Sequence, residues 1–165
     1  MKKRKLISLL LMITMVLPIS VGCGNSSVSS QAEEATEETE VVDTKLVSDI
    51  KSCLENLVET NKQYFLKYVY AKVANTQSAF KSVYDDTPIL TEEVDKIIVI
   101  THQHSYFSTV DTKVKEAKSH LLNSQDILEV ATKTPSEFDV TAFNKAYTSY
   151  TKSIIDASDE AGKIS

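Results

Sequence analysis

Glycine and arginine are scarce in this chain, and each shortage excludes something. Glycine occurs only at Gly22, Gly24 and Gly162, so residues 25–161 contain none. Hairpin turns, phosphate-binding loops and nucleophile elbows rely on glycine, and its shortage favours long helices with few connections. The sole arginine is Arg4. Because recognition of bases and phosphates usually uses arginine, nucleic acid is not an expected partner.

The length and composition predict one globular domain. A chain of 165 residues with 42% hydrophobic and 25% charged residues can bury one core, but it is too short for two. The formal charge is −5, and it becomes −9 without the four basic residues at positions 2–5. Beyond those positions the protein is acidic, and all its basic side chains are lysines. This lysine bias fits a Gram-positive source with AT-rich codons.

The first 22 residues have the three zones of an export signal: basic residues, an apolar run and small residues before a cysteine. The apolar run Leu6–Ile19 has about 14 residues, fewer than the ~20 that a membrane-spanning helix needs. The segment Ser20-Val21-Gly22-Cys23 resembles the lipobox of bacterial lipoproteins, although Ser20 replaces the leucine common there. The resemblance covers only the leader. It implies cleavage after residue 22, a diacylglyceryl group on Cys23 and a lipid anchor on the outer face of the cell membrane.

An acidic, serine-rich linker is predicted for residues 23–43. The segment has no lysine, and its acidic residues are Glu33, Glu34, Glu37, Glu38, Glu40 and Asp43. Low hydrophobicity and charge of one sign are typical of disordered segments. We expect such a linker to hold the domain formed by residues 44–165 away from the membrane.

Two prolines, Pro88 and Pro135, divide the predicted domain into three pieces with apolar residues at helical spacings. Helix one is expected to end near Tyr84, because the run Asp85–Pro88 favours a turn and proline restricts the residue before it. The three helical pieces that follow the disordered linker predict an all-α protein. Its architecture is expected to be an elongated antiparallel three-helix bundle.

Capping residues predict where the later helices begin and end. Helix two is expected to start at Thr91, and helix three at the capping box Thr134–Glu137, with Asp139 as the competing cap. Gly162 stands where a C-terminal cap is expected. A fourth helix results if helix two breaks within His102–Ser108.

The polar residues predict neither a reaction nor a cofactor. His102 and His104 would point ~200° apart on a helix, so they could not share one ion there. Glu116 and His120 share a helical face, but the second Glu-x-x-His of bundle metal sites is missing. Cys53 lies on the apolar register and is expected to be a buried free thiol. We therefore predict no metal site, no cofactor and no enzyme activity.

Tyrosines mark a predicted interface. Tyr64, Tyr68 and Tyr70 lie so close together on helix one that they cannot all face the core. Exposed aromatic residues are favoured at protein interfaces. The sequence therefore predicts a membrane-anchored, non-enzymatic lipoprotein that presents a helical bundle to another envelope protein. The alternative is a carrier lipoprotein with a small-ligand or metal site between its helices.

Overall fold

The computed structural model describes residues 40–164. This part of the chain is all-α, as predicted, and contains no strand. Its four helices are α1 (Thr44–Ala74), α2 (Gln77–Thr101), α3 (Ser108–Lys133) and α4 (Val140–Lys163). Short 3-10 turns at Ser105–Phe107 and Pro135–Glu137 precede α3 and α4. The predicted leader, Cys23 and the linker through residue 39 lie outside the described residues.

Consecutive helices pack side by side in opposite directions, and α4 also packs against α1. Tyr64 Oη of α1 lies 3.1 Å from Thr87 Oγ1 of α2, about ten residues before and after the connection between the two helices. Lys118 Nζ of α3 lies 2.7 Å from Asp95 Oδ1 of α2 in the same way. Short connections produce such antiparallel neighbours. The four helices therefore form an up-and-down bundle.

The core receives apolar side chains from all four helices. Residues at spacings of three and four along α3 are buried, as the sequence pattern predicted: Val110, Val114, Ala117, Leu121, Ser124, Leu128 and Ala131. Each other helix contributes an equivalent face, with Leu54, Phe80 and Phe143 among its fully buried members. Full burial of a large apolar side chain contributes about 1.5–3 kcal/mol. Apolar burial is thus the principal source of the stability of the bundle.

The boundary between the first two helices differs from the prediction. α1 ends at Ala74, and Asn75 adopts a left-handed conformation with φ 49° and ψ 44°. Thr76 then caps α2 by accepting a backbone N–H of its first turn. The predicted helix end near Tyr84 and the predicted start at Thr91 are therefore wrong. Asparagine tolerates the left-handed region better than most residues, and this lets the chain reverse without glycine.

Pro88 lies inside α2 instead of ending a helix. An internal proline costs about 3 kcal/mol, because it removes a backbone donor and crowds the preceding turn. The side chains of Val83, Thr87 and Leu90 around it are all buried. The Thr91 hydroxyl donates to the Thr87 carbonyl at 3.1 Å within the same stretch. Tertiary burial of this face therefore outweighs the local tendency of proline to stop the helix.

Of the helix boundaries predicted for the second half of the chain, some are confirmed and others are wrong. The second predicted helix is broken at residues 102–107. The sequence analysis allowed a break there, and the break gives the bundle its fourth helix. α4 is capped by the Asp139 carboxylate, which accepts a backbone N–H at 2.9 Å. Thr134 makes no side-chain hydrogen bond as a helix cap. Asp139, the alternative cap, is therefore confirmed, and the predicted capping box at Thr134–Glu137 is wrong. Gly162 lies within α4, which is followed by Ile164 as its C-cap.

Residues 40–43 belong with the bundle and not with the predicted disordered linker. The Glu40 carboxylate accepts from the Ser105 backbone N–H and from the Ser105 hydroxyl, both at 2.7 Å, and lies 2.6 Å from His104 Nδ1. The hydrogen bond from Ser105, followed by that from His104, lowers the pKa of Glu40. Asp43 caps α1 by accepting the Lys45 N–H at 2.9 Å.

None of the helices within residues 40–164 is both long enough and apolar enough to cross a membrane.

The left-handed residue between α1 and α2 makes a testable prediction. Asn75→Val should lower the free energy of unfolding by about 1–2 kcal/mol, because a β-branched residue is strained at positive φ. Asn75→Gly is the matched control and should be neutral or slightly stabilising, because glycine adopts this conformation without strain. Urea unfolding followed by circular dichroism measures both. Equal losses of stability in the two variants would contradict the helix break at this residue.

Candidate functional site

The structure separates the three tyrosines of the predicted interface. Tyr64 and Tyr68 are only 2% and 3% exposed, whereas Tyr70 is 70% exposed. Residues four apart share a helical face, so Tyr64 and Tyr68 both point into the core, and Tyr70 is rotated ~200° from Tyr68. Tyr64 and Tyr68 are therefore removed from the predicted interface as core residues. Tyr70 remains a candidate.

Aromatic side chains join α1 to α4. The ring of Tyr147 stacks on Phe65, with centroids 5.7 Å apart, and on Tyr64 at 5.8 Å. Tyr68 packs against Phe143 at 4.3 Å. Aromatic pairs of this kind contribute about 0.5–1.5 kcal/mol beyond the area that they bury. These rings therefore hold together two helices that no loop connects.

Hydrogen bonds reinforce this aromatic seam. The Tyr147 hydroxyl donates to Asn61 Oδ1 at 2.6 Å, and the Tyr68 hydroxyl donates to Asn144 Oδ1 at 2.7 Å. Burial raises the pKa of Tyr147, and it raises the pKa of Tyr64 to about 12. The hydroxyls therefore stay protonated at neutral pH and act as structural groups, not as acids or bases.

An open groove of about 640 Å³ runs between α1 and α4 beside the seam. Its lining includes Lys62, Phe65 and Leu66 of α1 and Tyr147, Thr151, Lys152 and Ile155 of α4. Phe65, Leu66, Tyr147 and Ile155 provide an apolar surface. The two lysines at the edges of the groove are ion-paired, Lys62 with Glu59 and Lys152 with Asp156. Its volume is within the range of ~300–1,000 Å³ that is usual for ligand sites. Sequence reasoning missed the groove, because only the packing of the last helix on the first creates it.

Exposed apolar residues continue along α1 from the groove. Leu66 is 61% exposed and Val73 is 81% exposed, and Phe65 and Val69 are half-exposed. Together with Tyr70 they form a continuous surface, because at 100° per residue the five lie within an arc of about 140°. We call these five residues the apolar strip. Single exposed apolar residues are common on proteins, but a contiguous patch marks an interaction surface.

The helical stretches beside the apolar strip contain lysine but no acidic residue. Residues 60–84 and 140–155 include six lysines and neither aspartate nor glutamate. On α4, Lys145 and Lys152 are seven residues apart and therefore lie on the same edge of the helix. Lys152 pairs with Asp156 at 2.5 Å, and within residues 40–164 no carboxylate comes within 4.0 Å of Lys145. Carboxylates just outside these stretches also pair with Lys62, Lys67 and Lys81, so most of the lysine charge is balanced locally.

The two candidate histidines have different partners. His102 and His104 lie in the connection between α2 and α3, where His104 contacts Glu40 and His102 Nδ1 lies 3.4 Å from Asp111 Oδ2. Burial tends to raise the pKa of Asp111, but hydrogen bonds, the largest from Lys115, outweigh burial and lower it. Among residues 40–164 no group of three or more His, Cys, Asp or Glu side chains could hold a metal ion.

The remaining candidate residues from the sequence are Glu116, His120 and Cys53. Glu116 and His120 both lie on α3, as predicted, and Glu116 Oε2 accepts from Lys113 Nζ at 2.9 Å. Cys53 is free and half-buried, not fully buried as expected. Burial raises the pKa of its thiol. A raised pKa leaves little thiolate at neutral pH, and thiolate is the reactive form of cysteine.

No protein-family model matches this chain, and the comparisons with curated proteins and with solved structures found no significant match. The groove and the apolar strip are therefore the features from which a function can be argued.

Substitution of two neighbouring tyrosines tests the assignment of core and surface. Tyr68→Ala should lower the free energy of unfolding by about 3–5 kcal/mol, as expected for removal of a buried aromatic ring. Tyr70→Ala is the matched surface variant and should change it by less than about 0.5 kcal/mol. Chemical denaturation of the two variants gives both values. A large loss in Tyr70→Ala would show that the ring is a core residue.

Proposed function

We propose that this protein is a bacterial lipoprotein, anchored through Cys23, that presents its helical bundle to another protein of the cell envelope. The observation that carries the proposal is the apolar strip, which places five exposed apolar side chains on one face of α1. The protein acts by contact and not by catalysis. Aromatic and large aliphatic side chains such as Tyr70 and Leu66 are suited to fill pockets on a partner.

The anchor is supported by the sequence of the leader. The export signal and the segment Ser20-Val21-Gly22-Cys23 together provide a route to the membrane and a site for the lipid. A single acyl chain binds membranes only marginally, because each buried methylene contributes ~0.8 kcal/mol. A diacylglyceryl group provides two chains and would hold the protein stably at the surface.

A carrier role is the second candidate, and the volume of the groove is the observation that favours it. Ligand sites usually bury at least ~70% of the surface of a small molecule. The groove is open on its outer side, and the apolar surface extends beyond it to Val73. An extended open surface suits a macromolecular partner better than a small ligand, so contact with a protein is preferred.

The anchor is tested by substitution of its cysteine. Cys23→Ser should release the protein from membranes, because the lipid on this sulfur is the anchor that the leader predicts. Cys53→Ser is the matched control and should remain membrane-bound. Cell fractionation with a carbonate wash measures the distribution, and metabolic labelling with a fatty acid shows the modification. Retention of the Cys23→Ser protein in membranes, without labelling of the wild type, would contradict the proposal.

The contact surface is tested by photo-crosslinking in intact cells. A photoreactive amino acid at Leu66 or Tyr70 of the full-length protein should form discrete adducts with another protein, because both side chains lie on the apolar strip. Val99 of α2 is the control, since it is equally exposed, at 61%, but lies outside the strip. No adducts from Leu66 and Tyr70, or the same adducts from Val99, would contradict a specific contact through this surface.

A further inference from the structure

We propose that residues 40–43 form a strap, which the Glu40 carboxylate fastens to the connection between α2 and α3 at neutral pH and releases in strong acid. This inference goes beyond the proposed function, because it concerns how the chain enters the bundle and requires neither a lipid nor a partner. Three features support it: the hydrogen bonds of Glu40, the missing local cap at Ser105 and the contacts of the rest of the strap. Once the strap is released, the ordered bundle would begin near Thr44.

The two carboxylate oxygens of Glu40 contact three groups of the connection between α2 and α3. Oε2 accepts from the Ser105 backbone N–H and hydroxyl, both at 2.7 Å, and Oε1 lies 2.6 Å from His104 Nδ1. An ionised carboxylate is purely an acceptor, whereas a protonated one carries a donor in place of part of that capacity. Hydrogen bonds to an ionised group are roughly twice as strong as those between neutral groups. The charged form of Glu40 is therefore the form that holds the strap closed.

Ser105 depends on this distant carboxylate because its own segment supplies no cap. It begins the 3-10 turn Ser105–Phe107, and the preceding residue, His104, makes no side-chain hydrogen bond as a cap. The first N–H groups of a helix lack acceptors within the helix, and a Ser, Thr, Asp or Asn directly before it usually provides one. Here the acceptor comes from Glu40, 65 positions earlier in the chain. Opening of the strap therefore leaves the Ser105 N–H without this acceptor.

The other residues of the strap differ in how firmly they are held. Asp43 caps α1 by accepting from the backbone N–H of Lys45 at 2.9 Å. Val42 packs against the core and is partly buried, whereas Val41 is 87% exposed. The side chain of Glu40 is 33% exposed. Polar contacts that water can reach open more readily than buried apolar ones, so release begins at Glu40 and ends at Asp43.

The charges around Glu40 decide the pH at which the strap opens. Among residues 40–164, His104 is the titratable side chain that faces Glu40. Other charged side chains at this end of the bundle have their own partners: Lys45 with Asp49, Lys163 with Glu160, and His102 and Lys115 with Asp111.

The hydrogen bonds from Ser105, followed by that from His104, lower the pKa of Glu40. A lowered pKa means that the contacts favour the charged form. Their stabilisation is present above the ordinary pKa of a glutamate and is lost as the pH falls through the lowered pKa. The strap therefore stays closed in mild acid and opens only in strong acid.

A spin label at Val41 reports whether the strap is closed. The protein is the chain from residue 23 with Cys23→Ser and Cys53→Ser, so that Val41→Cys provides the single labelling site. At neutral pH the electron paramagnetic resonance spectrum should show restricted motion, and Glu40→Ala should convert it to the narrow lines of a mobile segment. Glu55→Ala is the matched control, because Glu55 is an exposed carboxylate of α1, and it should leave the spectrum unchanged. Equal mobility of the label before and after Glu40→Ala would overturn the strap.

Exchange of the Ser105 backbone N–H with solvent gives a second measurement that needs no label. Glu40→Ala should accelerate this exchange at least about tenfold at neutral pH, because the hydrogen bond that protects the N–H is lost. The Ala142 N–H is the matched control, since it is also capped by a carboxylate, that of Asp139, and its rate should not change. Nuclear magnetic resonance measures both rates. An unchanged rate at Ser105 would likewise overturn the strap.

Acid titration of the labelled protein tests the release. As the pH falls below the ordinary range of a glutamate, the label at Val41 should become mobile while circular dichroism still shows a folded bundle. Glu40→Gln, which keeps a carbonyl acceptor but has no charge, should already be mobile at neutral pH. A restricted label in Glu40→Gln, or release only together with loss of the helical signal, would overturn the acid-sensitive opening.

Discussion

The first and last helices of this bundle meet without a connecting loop, and aromatic contact between them closes the fold. Three of the four helix pairs are held close by short connections, so their packing costs little loop-closure entropy. The pair α1 and α4 depends on side chains alone. Tyr147 stacks on Phe65 and Tyr64 and donates to Asn61, and Tyr68 packs on Phe143. The seam both closes the core and forms a wall of the groove, so the rings that hold the fold together also line the groove.

Helix α1 therefore has two apolar faces, one buried in the core and one exposed to solvent. A helix in a four-helix bundle buries only one side, and the core face of α1 includes Leu54, Leu57 and Tyr64. The second half of α1 is apolar around more of its circumference than the bundle can cover, and the apolar strip is the remainder. Exposed surface of this kind promotes aggregation unless a partner covers it. Charged side chains at its edges, among them Lys62 and Lys152, keep those edges hydrated.

The sequence was informative where a pattern acts locally and misleading where tertiary packing decides. The missing glycines and the spacings of three and four predicted the all-α class, and the buried face of α3 follows that spacing. Pro88 was read as a helix end because local geometry disfavours proline within a helix, but burial of its neighbours Val83 and Leu90 compensates. The chain actually reverses direction at Asn75, between α1 and α2, and the only sequence signal for this turn is the asparagine itself. The groove lies between residues about 90 positions apart, and periodicity within one helix cannot indicate which distant helix lies beside it.

The contacts of Glu40 determine how a mechanical force applied to the N-terminal side of the chain would be transmitted to the bundle. A terminal helix that is pulled at one end peels from its neighbours one turn at a time. Here the load first meets the hydrogen bonds that Ser105 donates to the Glu40 carboxylate, and from there it passes to the turn between α2 and α3. Two more helices therefore share the tension with α1. If the protein is anchored through Cys23, as proposed, this arrangement would spread the tension beyond α1, the helix that carries the aromatic seam.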